Sequence, residues 1–186
     1  SAASDVYKRQ MMEKVTAGAT GALGQISMEG YSSSNLTTML SKITSGATSA
    51  LGDIEMEGYS SDNLSLMVEK ITAGATSALD EIQLEGFSSD NLSSMVQEIT
   101  SGATGALDEI EMEGFDPSTD VFSMTEKVII GTTGALSEIE MDGYDSDDLE
   151  GMIEGVTTGA MSAINELQSA GLDQNNMSNM MKSISS

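Results

Sequence analysis

The chain contains no cysteine, no histidine and no tryptophan, and its one proline is Pro117. These absences exclude disulfides, thiolate and imidazole nucleophiles, histidine general bases and every Cys/His metal site. Without cysteine the redox compartment is not legible either. Positive charge is scarce. Seven Lys and Arg stand against 30 Asp and Glu, for a formal net charge of −23. Such a chain lacks the basic patches that nucleic-acid backbones and anionic membrane surfaces require. Nucleic acid is therefore not an expected partner, whereas cations and basic partners are compatible with it. No apolar run approaches the roughly 20 residues of a transmembrane helix. Aromatics number seven, four Tyr and three Phe.

What the chain has is a repeat. Gly18, Gly46, Gly74, Gly102, Gly131 and Gly159 lie 28, 28, 28, 29 and 28 residues apart, and Gly30, Gly58, Gly86, Gly114, Gly143 and Gly171 follow the same intervals. Two glycine series in one register indicate one supersecondary unit copied about six times. Residues 1–10 stand outside this register. Asp5 to Gln10 resembles the in-frame translation of a transposase-end sequencing adapter, so 1–10 is expected to be non-native. Residues 11–186 are expected to form a single array, cut at both ends from a longer one.

The unit reads as a helix. Between Gly58 and Gly86, Leu64, Val68, Ile71, Ala75, Ala78 and Ile82 recur every three or four residues, the stripe of one helical face. Its phase is unbroken across the small-residue centre at Gly74, which predicts one helix of about 22 residues, about 33 Å long. The competing reading, two short helices per unit, needs a phase shift there. Small residues at the centre suit a close crossing of neighbouring helices, although each interior glycine costs about 1 kcal/mol against alanine. Thr72 and Thr76 flank the stripe, which reads as packing rather than an exposed, ice-facing row. Met11, Met39, Met67, Met95, Met124, Met152 and Met180 share one repeat position on the stripe and read as core. Met28, Met56, Met112 and Met141 share a second position, suited to edge contacts or an adaptable surface.

The expected helices are 11–28, 35–56, 63–84, 91–112, 120–141 and 148–169, with a partial seventh from Met177. Runs such as Ser60-Ser61-Asp62-Asn63 offer N-cap side chains. At the other end the second glycine series fits the left-handed C′ position of a Schellman motif. Tyr31, Tyr59, Phe87, Phe115 and Tyr144 follow those glycines and would cover Ile26, Ile54, Ile82, Ile110 and Ile139. The extra residue near Pro117 marks that junction as a loop. Short connections make successive helices antiparallel. Near-identical successive helices favour an open α-solenoid or layered helical array over a closed bundle. The expected fold is thus all-α, built of tandem 28-residue helical repeats.

Chemistry is hard to place on this pattern. The acids cluster at helix C-termini, where they oppose the helix dipole. The densest cluster includes Asp142, Asp145, Asp147, Asp148 and Glu150, hard oxygen ligands of the kind Ca²⁺ takes. They lack EF-hand spacing, and an acidic rim in solvent is the plainer reading. Paired carboxylates recur from copy to copy, whereas a catalytic pair is built once and tuned apart. The sequence therefore points away from an enzyme and implies no organic cofactor. The expected function is a helical repeat scaffold or interaction module, part of a larger bacterial protein, secreted or on the cell surface. Its partner is another protein or a second copy of itself. A Ca²⁺-binding array and a self-associating or membrane-active assembly are the alternatives.

Overall fold

The computed structural model describes residues 2–24, 32–53, 60–82, 88–110, 117–137, 139 and 145–169. These form six α-helices: α1 (Ala2–Gly24), α2 (Ser33–Asp53), α3 (Ser61–Ser77), α4 (Ser89–Gly105), α5 (Pro117–Leu136) and α6 (Ser146–Ser169). Two 3₁₀ turns follow α3 and α4, at Ala78–Glu81 and Leu107–Glu109. No strand occurs among the described residues, and the helices pack against one another. The all-α expectation therefore holds. Gly18, Gly46, Gly74, Gly102, Gly131 and Gly159 all lie inside helices.

Helices α2 and α4 begin with side-chain caps. Ser32 N–H donates to Asn35 Oδ1 at 3.0 Å, and Ser88 N–H to Asn91 Oδ1 at 2.9 Å. Serine at the cap and asparagine three residues on occupy the two places of a capping box. Pro117 departs from expectation. It is the first residue of α5 rather than part of a loop. That is a favoured place for proline, because the first helical N–H has no intrahelical acceptor to lose.

The C-terminal boundaries also differ from expectation. The helix expected over 63–84 leaves α-geometry at Ser77, tightens through the 3₁₀ turn, and ends with Ile82 in extended backbone (φ −79°, ψ 121°). The helix expected over 91–112 ends with Ile110 extended (φ −77°, ψ 103°). Ile82 and Ile110 are thus not in the helical C3 geometry that a Schellman clip requires. The acids explain the shortening. Asp80, Asp108 and Glu109 sit in the last turn, where further helix would aim unpaired carbonyls at carboxylates. The 3₁₀ turn gives some carbonyls a nearer partner, with Ile82 N–H donating to Leu79 O at 3.2 Å. Extended backbone leaves both isoleucines buried.

Packing follows an order that the sequence reading did not anticipate. Each helix packs chiefly against the helix two along the chain, α1 on α3, α2 on α4, α3 on α5 and α4 on α6. Successive helices touch far less. The alternate pairs run parallel, since Gly155 and Gly159 of α6 lie over Ser93 and Gln97 of α4 in the same order. Two interleaved layers result, α1-α3-α5 and α2-α4-α6. Two apolar clusters join them. One combines the first halves of α3 and α5 (Leu64, Met67, Ile71, Met124, Val128) with the distal ends of α2, α4 and α6 (Leu51, Leu107, Ile164). The other combines the first halves of α2, α4 and α6 with the distal ends of α1, α3 and α5.

Between the clusters lies a waist of close backbone approach. A Cβ on Gly102 would sit 2.6 Å from the carbonyl oxygen of Ser41. Gly74 stands equally tight on Glu13 O, Gly131 on Glu69 O and Gly159 on Gln97 O. Only glycine permits helices this close. The expectation of a tight crossing therefore holds at these four glycines and fails at Gly18 and Gly46, where an added Cβ would meet nothing within 4 Å. It fails also at Gly105 and Gly134, three residues after Gly102 and Gly131, where an added Cβ would again meet nothing within 4 Å. The buried threonines at the waist divide: the hydroxyls of Thr20, Thr76 and Thr104 make no hydrogen bond, whereas others bond their own helix. Thr44, Thr72 and Thr100 donate to the carbonyls of Leu40, Val68 and Val96 at 2.7, 3.1 and 2.8 Å. Thr72 and Thr76 are fully buried, so they form no exposed row.

Candidate functional site

The acidic candidates divide. Asp142 lies outside the described residues. Asp145 is the N-cap of α6. Its Oδ1 accepts the backbone N–H groups of Asp147 at 2.9 Å and Asp148 at 3.2 Å. Asp148 Oδ2 accepts the N–H of Asp145 at 2.9 Å in return. This is a reciprocal capping box made of two carboxylates, and negative charge suits the positive end of the helix dipole. Asp147 and Glu150 lie on the exposed surface. Among the described residues no three acids come together in a geometry that would hold a metal ion. Asp145→Ala is accordingly expected to destabilise the protein by about 1 kcal/mol, the usual loss for an N-cap, read as a lower urea midpoint with an unchanged slope.

The helix-end candidates Gly30, Gly58, Gly86, Gly114, Gly143 and Gly171, with Tyr31, Tyr59, Phe87, Phe115 and Tyr144, all lie outside the described residues. So do Met28, Met56, Met112 and Met141. The first methionine series is described except for Met180. Met67, Met95, Met124 and Met152 are buried, whereas Met11 of α1 is 51% exposed.

Basic residues reveal what the sequence reading missed. Lys70 of α3 pairs with Glu13 of α1 at 3.4 Å, and Lys127 of α5 pairs with Glu69 of α3 at 2.8 Å. Each lysine thus reaches the glutamate two helices back. The first pair is more than one-third exposed on both sides, so its worth is at most about 1 kcal/mol. Its value lies in register rather than stability. A signal for this was present. The dipeptide Glu-Lys occurs at Glu13-Lys14, Glu69-Lys70 and Glu126-Lys127, in every second unit, while Ser41-Lys42, Gln97-Glu98 and Glu154-Gly155 fill the same place between them. A period of two units marks helices that meet their second neighbours.

The molecule is also asymmetric from end to end. On α1 the face that corresponds to the buried face of α3 is exposed. Met11 and Val15 are 51% and 58% exposed, although their register equivalents Met67 and Ile71, or Met95 and Ile99, are buried. No family model matches this chain, and no curated protein matches it. Among the described residues, no helix is long and apolar enough to cross a membrane.

Proposed function

We propose that this chain is a non-enzymatic helical repeat scaffold, an open α-solenoid of 28-residue units whose helices interleave in two layers. The observation that carries this reading is one contact made four times. A helix-centre glycine rests on the backbone carbonyl of the residue 61 or 62 positions earlier, at Gly74, Gly102, Gly131 and Gly159. A chain that reuses one interface between neighbouring units has the near one-dimensional organisation of a solenoid. Such arrays present long, regular surfaces for binding rather than a single reaction site. The distribution of titratable groups supports the same reading. They recur in register, and those at the start of α6 serve as helix caps.

The test is an in-frame deletion of two units, residues 33–88, which joins Ser32 to Ser89 and keeps the alternation of layers. A repeat array is expected to survive it with helical ellipticity per residue unchanged and cooperative unfolding at a lower temperature. A deletion variant without a cooperative transition overturns the reading.

A further inference from the structure

We infer that Asn35, Asn63 and Asn91 are acceptor sites for N-linked oligosaccharide, placed so that the folded chain carries the sugar at the starts of α2, α3 and α4. The inference goes beyond the scaffold reading above and does not depend on it.

The observation that carries it is a pair of residues that change together. At the start of three units the chain reads Asn35-Leu36-Thr37, Asn63-Leu64-Ser65 and Asn91-Leu92-Ser93. Each is the acceptor triplet Asn-x-Ser/Thr. In the next two units the same two positions hold Asp120 and Phe122, then Asp148 and Glu150. Amide and hydroxyl are thus lost together. A fourth triplet, Asn176-Met177-Ser178, holds both again and lies outside the described residues.

Helix capping accounts for only half of the asparagine. Asn35 Oδ1 accepts the Ser32 N–H at 3.0 Å and the Ser32 hydroxyl at 2.7 Å. Asn91 Oδ1 accepts the same two groups of Ser88 at 2.9 and 3.1 Å. The box takes an oxygen, and a carboxylate supplies one. In α6, Asp148 Oδ2 fills the same place and accepts the Asp145 N–H at 2.9 Å. The helix dipole favours a negative charge at every helix start, and the chain uses Asp or Glu at 30 positions. What asparagine adds is the amide nitrogen. The boxes of Asn35 and Asn91 do not use it. In Asn63, Nδ2 donates to Ser60 Oγ at 3.3 Å, and a substituted amide keeps one N–H for that bond.

The asparagines also have room. Asn35 is exposed, and Asn63 and Asn91 are half-buried in the first turns of α3 and α4. Those two are inner helices, with α1 and α5 packed on α3 and α2 and α6 packed on α4. Their access to solvent therefore persists with both flanks covered. The hydroxyls differ. Thr37 and Ser65 are buried, so a transferase meets these triplets before the helices pack, as the chain enters a secretory membrane. Asparagine Nδ2 then bonds the anomeric carbon of a lipid-pyrophosphate-linked oligosaccharide. The bond from that carbon to the pyrophosphate oxygen breaks, the lipid pyrophosphate leaves, and one amide proton passes to a base of the transferase. Packing afterwards covers the hydroxyl and leaves the sugar in solvent with the cap intact.

The test translates the full chain behind a cleavable signal peptide, with microsomes that supply transferase and lipid-linked donor. An Asn176→Gln background restricts the readout to the described triplets. Three stepwise mass increments are expected, all removed by peptide N-glycosidase. Asn35→Gln, Asn63→Gln and Asn91→Gln are each expected to lose one increment. Thr37→Ala, Ser65→Ala and Ser93→Ala are expected to do the same, although they leave the asparagine and its cap in place. Glycosylated chain secreted from cultured cells is expected to match the enzymatically deglycosylated chain in helical ellipticity and Tm. A chain that gains no increment, or keeps all three when the hydroxyls are removed, overturns the inference. So does a glycosylated chain without a cooperative melt, because the sites would then be incompatible with the fold. Failure of the two-unit deletion strikes the scaffold reading instead.

Discussion

Gly131→Ala is expected to lower the stability of the protein by about 2 kcal/mol, and Gly134→Ala, one turn further along the same helix, to raise it by about 0.5–1 kcal/mol. Both changes gain up to about 1 kcal/mol of helix propensity and reduce the freedom of the unfolded chain. They differ in what the new methyl meets. At Gly131 it is driven into the carbonyl oxygen of Glu69 and the hydroxyl of Thr72, and the carbonyl belongs to helix backbone that has no rotamer to change. α3 and α5 must move apart along their length, and overpacking of this kind typically costs 1–3 kcal/mol, occasionally more. At Gly134 the methyl has no neighbour within 4 Å. For a chain of this size, about 2–4 °C accompanies each kcal/mol. Thermal unfolding should therefore place Gly131→Ala about 4–8 °C below the parent and Gly134→Ala above it. Equal shifts of the same sign in the two variants would mean that the waist is not held by close backbone approach.

Ile71→Ala is expected to cost about 2–5 kcal/mol. Its side chain is fully buried in α3, within the cluster that also holds Leu64, Met67, Val128 and Ile164. Removing it forfeits both the transfer free energy of the lost methyl groups and the contacts around the cavity left behind. The informative comparison is Val15→Ala, at the equivalent position of α1. Val15 is 58% exposed, so its change should fall within about 0.5 kcal/mol of neutral, as surface substitutions usually do. Chemical denaturation of the two variants thus reads how far each helix face is covered, since both residues are β-branched and aliphatic. A large loss from Val15→Ala in dilute protein would mean that its face is already covered.

Much of the architecture was legible in the residues. The stripe from Leu64 to Ala75 runs without a phase shift because one helix makes it, and α3 accordingly carries Gly74 in its interior. The first glycine series was readable as a thinned crossing, since nothing else explains a repeated helix-interior residue of such poor propensity. Three features were not read. Near-identical units leave open whether a unit meets its first or its second neighbour, and short connections draw attention to the first. The alternation of Glu-Lys held the answer, but an ion pair on a surface gives little stability and so attracts little notice. The helix ends were set too late, because the apolar stripe continues through Ile82 and Ile110 after the α-geometry has stopped. There, acids in the last turn outweigh the periodicity. Asp145 and Asp148 are also helix-capping residues, a role their composition does not show. Their geometry turns them toward backbone N–H groups, which single-residue spacing does not reveal.

Packing between second neighbours also bears on how the chain acquires its structure as it is made. Leu64 and Met67 of α3 share a cluster with Met12 of α1, and Gly74 closes on Glu13. A nascent chain must therefore lengthen through α2 and α3 before α1 finds the surface it packs against. Loop-closure entropy grows only slowly with length, by about 0.6 kcal/mol per doubling, so the delay adds little to the free energy of the finished protein. It matters for time. Contacts between residues far apart in sequence slow folding, and at about 5–20 residues per second a helix leaving the ribosome waits several seconds with its apolar face uncovered. α2 waits in the same way for α4. Two half-finished helices are thus exposed together at every moment of synthesis. The strong negative charge of the chain, which opposes sticking between molecules, protects them during that interval.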